Sequence, residues 1–156
     1  MTKAWKSYEE VAAHLLNQFA KEFGLDRVES KQKLRGHQSK TTWEADAKGV
    51  RDTDGAIMVV ECKCFTTSRL CQGKIGELAY RIIDTGAMGG IIVSPLGLQE
   101  GARKVAKANN IVEVHLDENS TPEQFVMRFL NKIMGGFADA IQLKDDVTVE
   151  VIRRDS

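Results

Sequence analysis

Apolar residues recur at helical spacing near the start of the chain. Val11, Ala12, Leu15, Leu16, Phe19 and Phe23 fall on one stripe. This predicts a helix from Ser7, a capping residue, to about Phe23, with Gly24 as its stop. The pattern then becomes alternating. Over residues 27–37, Glu29, Lys31, Lys33, Arg35 and His37 are expected to share one face of a solvated strand at a sheet edge. Residues 42–50 and 56–65 read as two more strands, joined by the hairpin turn Asp52-Thr53-Asp54-Gly55. A helix from about Gly73 to Thr85, a buried strand at residues 89–94, an alanine-rich helix from Leu98 to Asn109 and a strand from Ile111 to Leu116 follow. That order predicts a mixed sheet covered by helices.

Beyond Asp117 the pattern restarts. Glu118-Asn119-Ser120 resembles a linker, and Thr121-Pro122 is a strong helix start. The helix it opens carries Phe125, Phe129, Leu130 and Ile133 and ends at Gly135-Gly136, before two short strands near residues 137–143 and 147–152. The expected organisation is a core over residues 1–117 and a C-terminal helix-hairpin extension over 118–156, packed on the core or at a homodimer interface.

Composition narrows the class. A chain of 156 residues, 42% hydrophobic and 28% charged, has material for one domain with one core. Its apolar runs are too short to span a membrane, and the start MTKAWKSYEE has no apolar stretch of the signal-peptide kind, so a cytoplasmic location is expected. The 22 basic and 22 acidic side chains cancel, which argues against coating nucleic acid by charge alone. The distribution is less even: Arg27, Lys31, Lys33, Arg35, Lys40, Lys48 and Arg51 crowd one segment. Cys62, Cys64 and Cys71 are an odd, clustered set without a disulfide framework, and His14, His37 and His115 are too scattered for zinc spacing. Cys62 and Cys64 are expected to be small core residues, and His115 a structural one.

The hairpin at residues 42–65 carries the chemistry. Its turn pairs even positions of the first strand with odd positions of the second, and opposed residues share a face. Glu44, Asp46 and Lys48 are therefore expected beside Val59, Glu61 and Lys63. The other face holds Trp43, Ala45, Ala47, Met58, Val60, Cys62 and Cys64, and calls for a helix against it. Charged residues on an interior strand are costly unless paired or bound to metal. Two neighbouring carboxylates repel, and a hard divalent cation removes the repulsion. Mg²⁺ held by Asp46 and Glu61 would polarise a phosphodiester and activate water, with Lys63 holding that water or stabilising the transferring phosphate. A structural ion-pair cluster is the alternative reading of the same residues.

Trp43-Glu44-Ala45-Asp46-Ala47, the Asp-Gly turn and Val60-Glu61-Cys62-Lys63 resemble the PD-(D/E)xK nuclease superfamily. More narrowly, Tyr8 to Leu16, Asp84-Thr85-Gly86-Ala87, Gly90-Ile91-Ile92-Val93-Ser94 and Gly97-Leu98-Gln99 are similar to its Mrr-like restriction endonuclease branch. The resemblance covers roughly residues 7–116. It implies a restriction-endonuclease-like α/β (α+β) fold, a mixed sheet of four to five strands flanked by helices. It also implies an endonuclease that cuts DNA with Mg²⁺, for which Mn²⁺ substitutes.

By the same resemblance Asp46 and Glu61 are metal ligands with the carbonyl of Cys62, Lys63 is the catalytic lysine, and Glu9 matches the first-helix glutamate. Glu44, Gln72 and Lys74 are accessory candidates. Lys31, Lys33, Arg35, His37 and Lys40 are candidate DNA contacts. Ala45 stands where the superfamily has its proline, and the DNA-reading winged helix of Mrr proteins has no counterpart in this sequence. A Holliday-junction resolvase is the alternative within the class, its glycine- and serine-rich loop echoed at Gly36-His37-Gln38-Ser39. A catalytically inactive module that binds DNA or a partner protein is the alternative outside it. Work within a larger defence or repair complex fits either.

Overall fold

The computed structural model describes residues 7–116. Helix α1 spans Tyr8–Gln18, and the Ser7 hydroxyl accepts the backbone N–H of Glu10 at its start. The expected helix to Phe23 is shorter and two-part. Phe19 leaves the helical region at φ −109°, ψ 25°, and a 3₁₀ turn over Ala20–Phe23 ends at Gly24 with φ +73°. The strands are β1 (Arg27–Arg35), β2 (Thr42–Arg51), β3 (Ala56–Cys62), β4 (Gly89–Ser94) and β5 (Ile111–His115). Helix α2 (Gln72–Thr85) and helix α3 (Glu100–Ala108) complete the described chain. None of these helices is long and apolar enough to cross a membrane. The expected C-terminal helix and hairpin, and the dimer surface assigned to them, lie outside the described residues.

The sheet has five strands in the order β1-β2-β3-β4-β5. The first three are antiparallel neighbours, joined by hairpins. Parallel pairing of β3 with β4 and of β4 with β5 requires crossovers, and α2 and α3 provide them. The interior strand β4 is buried along its whole length, as its run Gly-Gly-Ile-Ile-Val-Ser suggests. Helix α1 covers one face, packing Val11, Ala12, Leu15 and Leu16 over Ala47, Met58, Val60, Cys62, Ile91 and Val93. Helices α2 and α3 cover the other, with Ile75, Leu78, Ile82, Ala102 and Ala106 over Val59, Ile92 and Ile111.

The β1–β2 ribbon does not stay in this plane. Ala47 packs under α1, yet Ala45, two residues away on a nominally continuous strand, packs with α2. In β1 the same exchange separates Val28, under α1, from Leu34, with α2. Both reversals bracket one level of the ladder, between the pairs Ser30↔Ala47 and Gln32↔Ala45. Lys31 stands there with φ +39°, outside the strand region. The outer half of the ribbon therefore bends across α2.

This bend corrects two expectations. Trp43 and Ala45 do not share the face of Ala47, Met58 and Val60, and Glu29 does not share a face with Lys33 and Arg35. The alternation is interrupted at Lys31, so residues on its two sides point to opposite faces. The strand expected over 56–65 ends at Cys62, and Cys64 lies exposed in the loop beyond, not in the core.

Asp84 clamps the bent arm to α2. Its carboxylate is fully buried and accepts the backbone N–H groups of Gln38 and Ser39 at 2.8 and 2.9 Å. It also accepts the Ser39 hydroxyl at 2.6 Å and the Trp43 indole N–H at 2.7 Å. The Ser39 hydroxyl first, then Trp43, hold the carboxyl well below the usual range. A side chain at Gly36 would collide with the same carboxylate. The glycine- and serine-containing loop is thus a structural clasp in this fold.

Candidate active site

Asp46 sits at the bend and Glu61 near the end of β3 away from the hairpin turn, where the two strands begin to part. The β2–β3 register, Ala47↔Val60 and Lys48↔Val59, puts residues 46 and 61 opposite each other and on one face, as the hairpin turn predicts. Ladder pairing stops at Ala47↔Val60. Beyond it Asp46 supplies a side-chain substitute: its Oδ2 accepts the Cys62 backbone N–H at 2.7 Å. That bond aims the Asp46 carboxylate across the gap toward β3.

Glu61 is buried among these groups, with 8% of its surface exposed. Burial pushes its carboxyl up to about 7, and a hydrogen bond to Asp46 adds to the rise. Arg81 and Lys63 act the other way without overcoming it. A carboxyl that retains its proton to near neutrality beside a second carboxylate marks a concentration of negative charge with little water to screen it.

Lys63 follows at the end of β3, half-buried. Its backbone N–H continues the pairing with β4 by donating to the Val93 carbonyl at 2.8 Å. The strand direction is therefore maintained as far as the lysine, and its ammonium is felt at Glu61. Asp46, Glu61 and Lys63 are brought together.

The other candidates divide. Glu9, half-buried on α1, acts electrostatically on the buried Cys62 thiol together with Asp46 and Glu61, so it lies toward the same end of β3. Burial and these carboxylates push the Cys62 thiol far up, which suits a core residue. Glu44 is exposed and pairs in register with Lys33 on the outer side of the bent arm. It is not gathered with Asp46, because the alternation between them is broken at the bend. Gln72 opens α2 with its side-chain oxygen close to Gly101 of α3, and Lys74 is exposed one turn-fraction later. Lys31, Lys33, Arg35, His37 and Lys40 are all exposed, on the edge strand and its loop. His115 is structural in its contacts, bonded to Glu113 at 2.6 Å.

Arg81 was not singled out by the sequence reading. Its Nη1 donates to Glu61 Oε2, and its guanidinium carbon lies 5.2 Å from the Trp43 ring centroid. The available signal was weak: on α2, Arg81 borders the buried stripe of Leu78 and Ile82, where a charged residue needs a partner.

Among the described residues, no three His, Cys, Asp or Glu side chains gather into a ready-made metal cage. The pair Asp46–Glu61 nevertheless fits a hard divalent cation. Mg²⁺ is commonly held by one or two carboxylates, with water and other oxygens filling the shell. Two touching carboxyls, one of them with raised proton affinity, are a donor set that such an ion would relieve.

Solved structures give a likeness of fold. The chain is similar to a protein described as "Protein of Unknown Function AF1548", with TM-score 0.56 and 16% identity over 87% of this chain and 72% of that one. A repair endonuclease from Pyrococcus abyssi matches at TM-score 0.46 and 21% identity, over 74% of this chain and 49% of that one. EndoMS in its apo form matches at TM-score 0.39 and 19% identity, over 76% and 50%. The chain spans about half the length of each of these two endonuclease structures. No family model matches it, and no curated protein is significantly similar.

Proposed function

We propose that this chain is an endonuclease that hydrolyses DNA phosphodiester bonds with a divalent cation, Mg²⁺ or Mn²⁺, at the Asp46–Glu61 pair. The observation that carries this reading is the contact of those two carboxyls where β2 and β3 part, with Lys63 beside them. The resemblance of the same residues to the PD-(D/E)xK superfamily, Mrr-like branch, supports it. When bound, the cation would supply Lewis-acid polarisation of the scissile phosphate.

The chain's own groups do the rest. Asp46 and Glu61 bind the cation, with the Cys62 carbonyl next in the chain as a further oxygen. The bond from the Cys62 N–H fixes the Asp46 rotamer before any ligand arrives. Lys63 places a positive charge against the phosphate as negative charge grows on it. The exposed side chains of Lys31, Lys33, Arg35, His37 and Lys40 line the edge arm and contact the DNA backbone. Glu9, Gln72 and Lys74 are secondary members of the site. A second copy of the chain would supply the second cut of a duplex or junction.

A cleavage panel on linear, nicked, branched and single-stranded DNA tests the proposal. Cleavage that requires Mg²⁺ or Mn²⁺ and is lost in Asp46→Asn and Glu61→Gln supports it, and preference for branched DNA would select the resolvase form. Cleavage unaffected by both variants would overturn it. One observation favours a second reading, a non-catalytic DNA- or protein-binding module: the ion pair of Arg81 with Glu61 already compensates one carboxylate. Absence of metal-dependent cleavage on every substrate, with DNA or protein binding retained, would favour that module.

A further inference from the structure

We propose that Arg81 is a resident counter-cation of the Asp46–Glu61 pair, which a divalent cation must displace from Glu61 in order to load. The inference rests on the reading of that pair as a cation site and assigns a role that the reading itself does not need.

The charges make the case first. Asp46, Glu61, Lys63 and Arg81 sum to zero even when both carboxyls are ionised, so these four side chains leave no excess negative charge for an ion to neutralise. A divalent cation added to this set would leave two excess positive charges in a poorly solvated place. Moving the guanidinium away from Glu61 lowers that excess and frees the oxygen that the ion needs. Arg81 Nη1 donates to that oxygen, Oε2, so the two cations compete for one ligand atom.

The way Arg81 is held fits a group that exchanges partners. The exposed fractions of the Arg81 and Glu61 side chains are only 20% and 11%, so their attraction is weakly screened. Yet the guanidinium is not fully bonded, because Arg81 Nε is buried with no hydrogen-bond partner. An arginine fixed permanently as a structural strut would be expected to satisfy that donor. Its main support is the Trp43 ring, 5.2 Å away, which is itself fixed by the indole bond to Asp84 and the edge-on contact with Tyr80. A ring face attracts a guanidinium without fixing its direction as a bidentate carboxylate does. Arg81 can then turn from Glu61 while still resting on Trp43.

The test is Mn²⁺ binding to the full chain, by calorimetry, with no DNA present. Wild type is compared with Arg81→Met and Arg81→Gln, and Asp46→Asn marks the site. Both Arg81 variants are expected to bind Mn²⁺ about ten-fold more tightly than wild type. Their metal-free melting temperatures are expected to fall, and the gain on saturation with Mn²⁺ to exceed that of wild type. Arg81→Gln keeps amide donors for Glu61 without the charge, so it reports even where Arg81→Met does not fold. Affinity unchanged or weakened in the folded variants, against measurable wild-type binding lost in Asp46→Asn, would overturn the role of Arg81 alone. No binding in wild type or in either Arg81 variant would overturn the cation site and this inference with it.

Discussion

Lys31 stands opposite Asp46, at the one level where the β1–β2 ribbon changes face. The flanking pairs Ser30↔Ala47 and Gln32↔Ala45 fix that opposition, and the Lys31 φ of +39° marks the irregularity. Asp46 thus lies at the bend itself, at the level where the pairing of β2 with β3 stops. Left-handed backbone costs roughly 1–2 kcal/mol for a residue with a Cβ, and more for a β-branched one. Lys31→Gly is expected to match or exceed the wild-type melting temperature, and Lys31→Val to lower it and weaken Mn²⁺ binding through Asp46. Thermal melts of both variants check this. A Lys31→Val protein as stable as Lys31→Gly would show that the bend does not depend on this residue.

Asp84 holds the outer arm by four donors at one buried carboxylate. Asp84→Asn keeps the shape but turns an N–H₂ toward groups that are themselves donors. The expected outcome is a lower melting temperature and a loosened Trp43, read as a shift of its fluorescence in a Trp5→Phe background. Because Trp43 supports Arg81, the variant is also expected to change Mn²⁺ affinity. An unshifted Trp43 emission maximum would contradict the clasp.

Glu113 gives the fold a measurable dependence on acid. Burial would raise its carboxyl, but hydrogen bonds from His115 and Arg103 outweigh burial and bring it down to about 2. A carboxyl depressed in the folded state stabilises it fully above the ordinary carboxylate value, and that stability is lost as pH falls through the folded value. Urea unfolding should therefore show stability declining from about pH 4.5 to about pH 2. Glu113→Gln is expected to be less stable at pH 7 and to have a flatter profile across that window. It also replaces one of the two oxygens that accept the Leu98 N–H and Arg103, at the start of α3, with an amide donor. Equal slopes for the two proteins would locate the acid sensitivity elsewhere.

The centre of the site was legible because it depends on parity. The turn at residues 52–55 fixes which positions oppose each other, so Asp46 beside Glu61 follows without knowledge of the rest of the fold. Helix α2, β4 and β5 were legible from period and burial. The bend was not. A run of alternating charged residues is compatible with a straight strand, and the left-handed residue is a lysine, where a glycine or asparagine would have signalled it. The consequences of the bend were hidden for the same reason: Trp43 against α2, the clasp at Asp84, the outward turn of Glu44 and the contact of Arg81 with Glu61. Cys64 lies outside the core because β3 ends at Cys62 and the last bond to β4 is the one from the Lys63 N–H.

The exposed cations of the edge arm make a prediction separable from catalysis. Lys33 and Arg35 lie on β1, the sheet's edge strand, beyond the bend, and make no ion pair among the described residues, whereas at the arm's base Arg27 pairs with Asp52 and Glu29 and Lys48 with Glu29. Cations already paired with carboxylates have less to gain from a phosphate than cations facing water. If Lys33 and Arg35 contact the DNA backbone, each contact releases counterions, and affinity falls with salt in proportion to the number of contacts. Lys33→Ala and Arg35→Ala are each expected to weaken DNA binding similarly on all sequences and to reduce the salt slope by about 1. Mn²⁺ affinity should stay at its wild-type value, since Lys33 and Arg35 pair with Glu44 and Thr42, beyond the level of Asp46. Arg27→Ala is the comparison, expected to affect binding less because its guanidinium is committed to Asp52 at 2.7 and 2.8 Å. Binding titrations in Ca²⁺ at several salt concentrations distinguish the cases. An unchanged salt slope in the Lys33→Ala, Arg35→Ala double variant would remove the arm from the DNA interface while leaving the Asp46–Glu61–Lys63 site untouched.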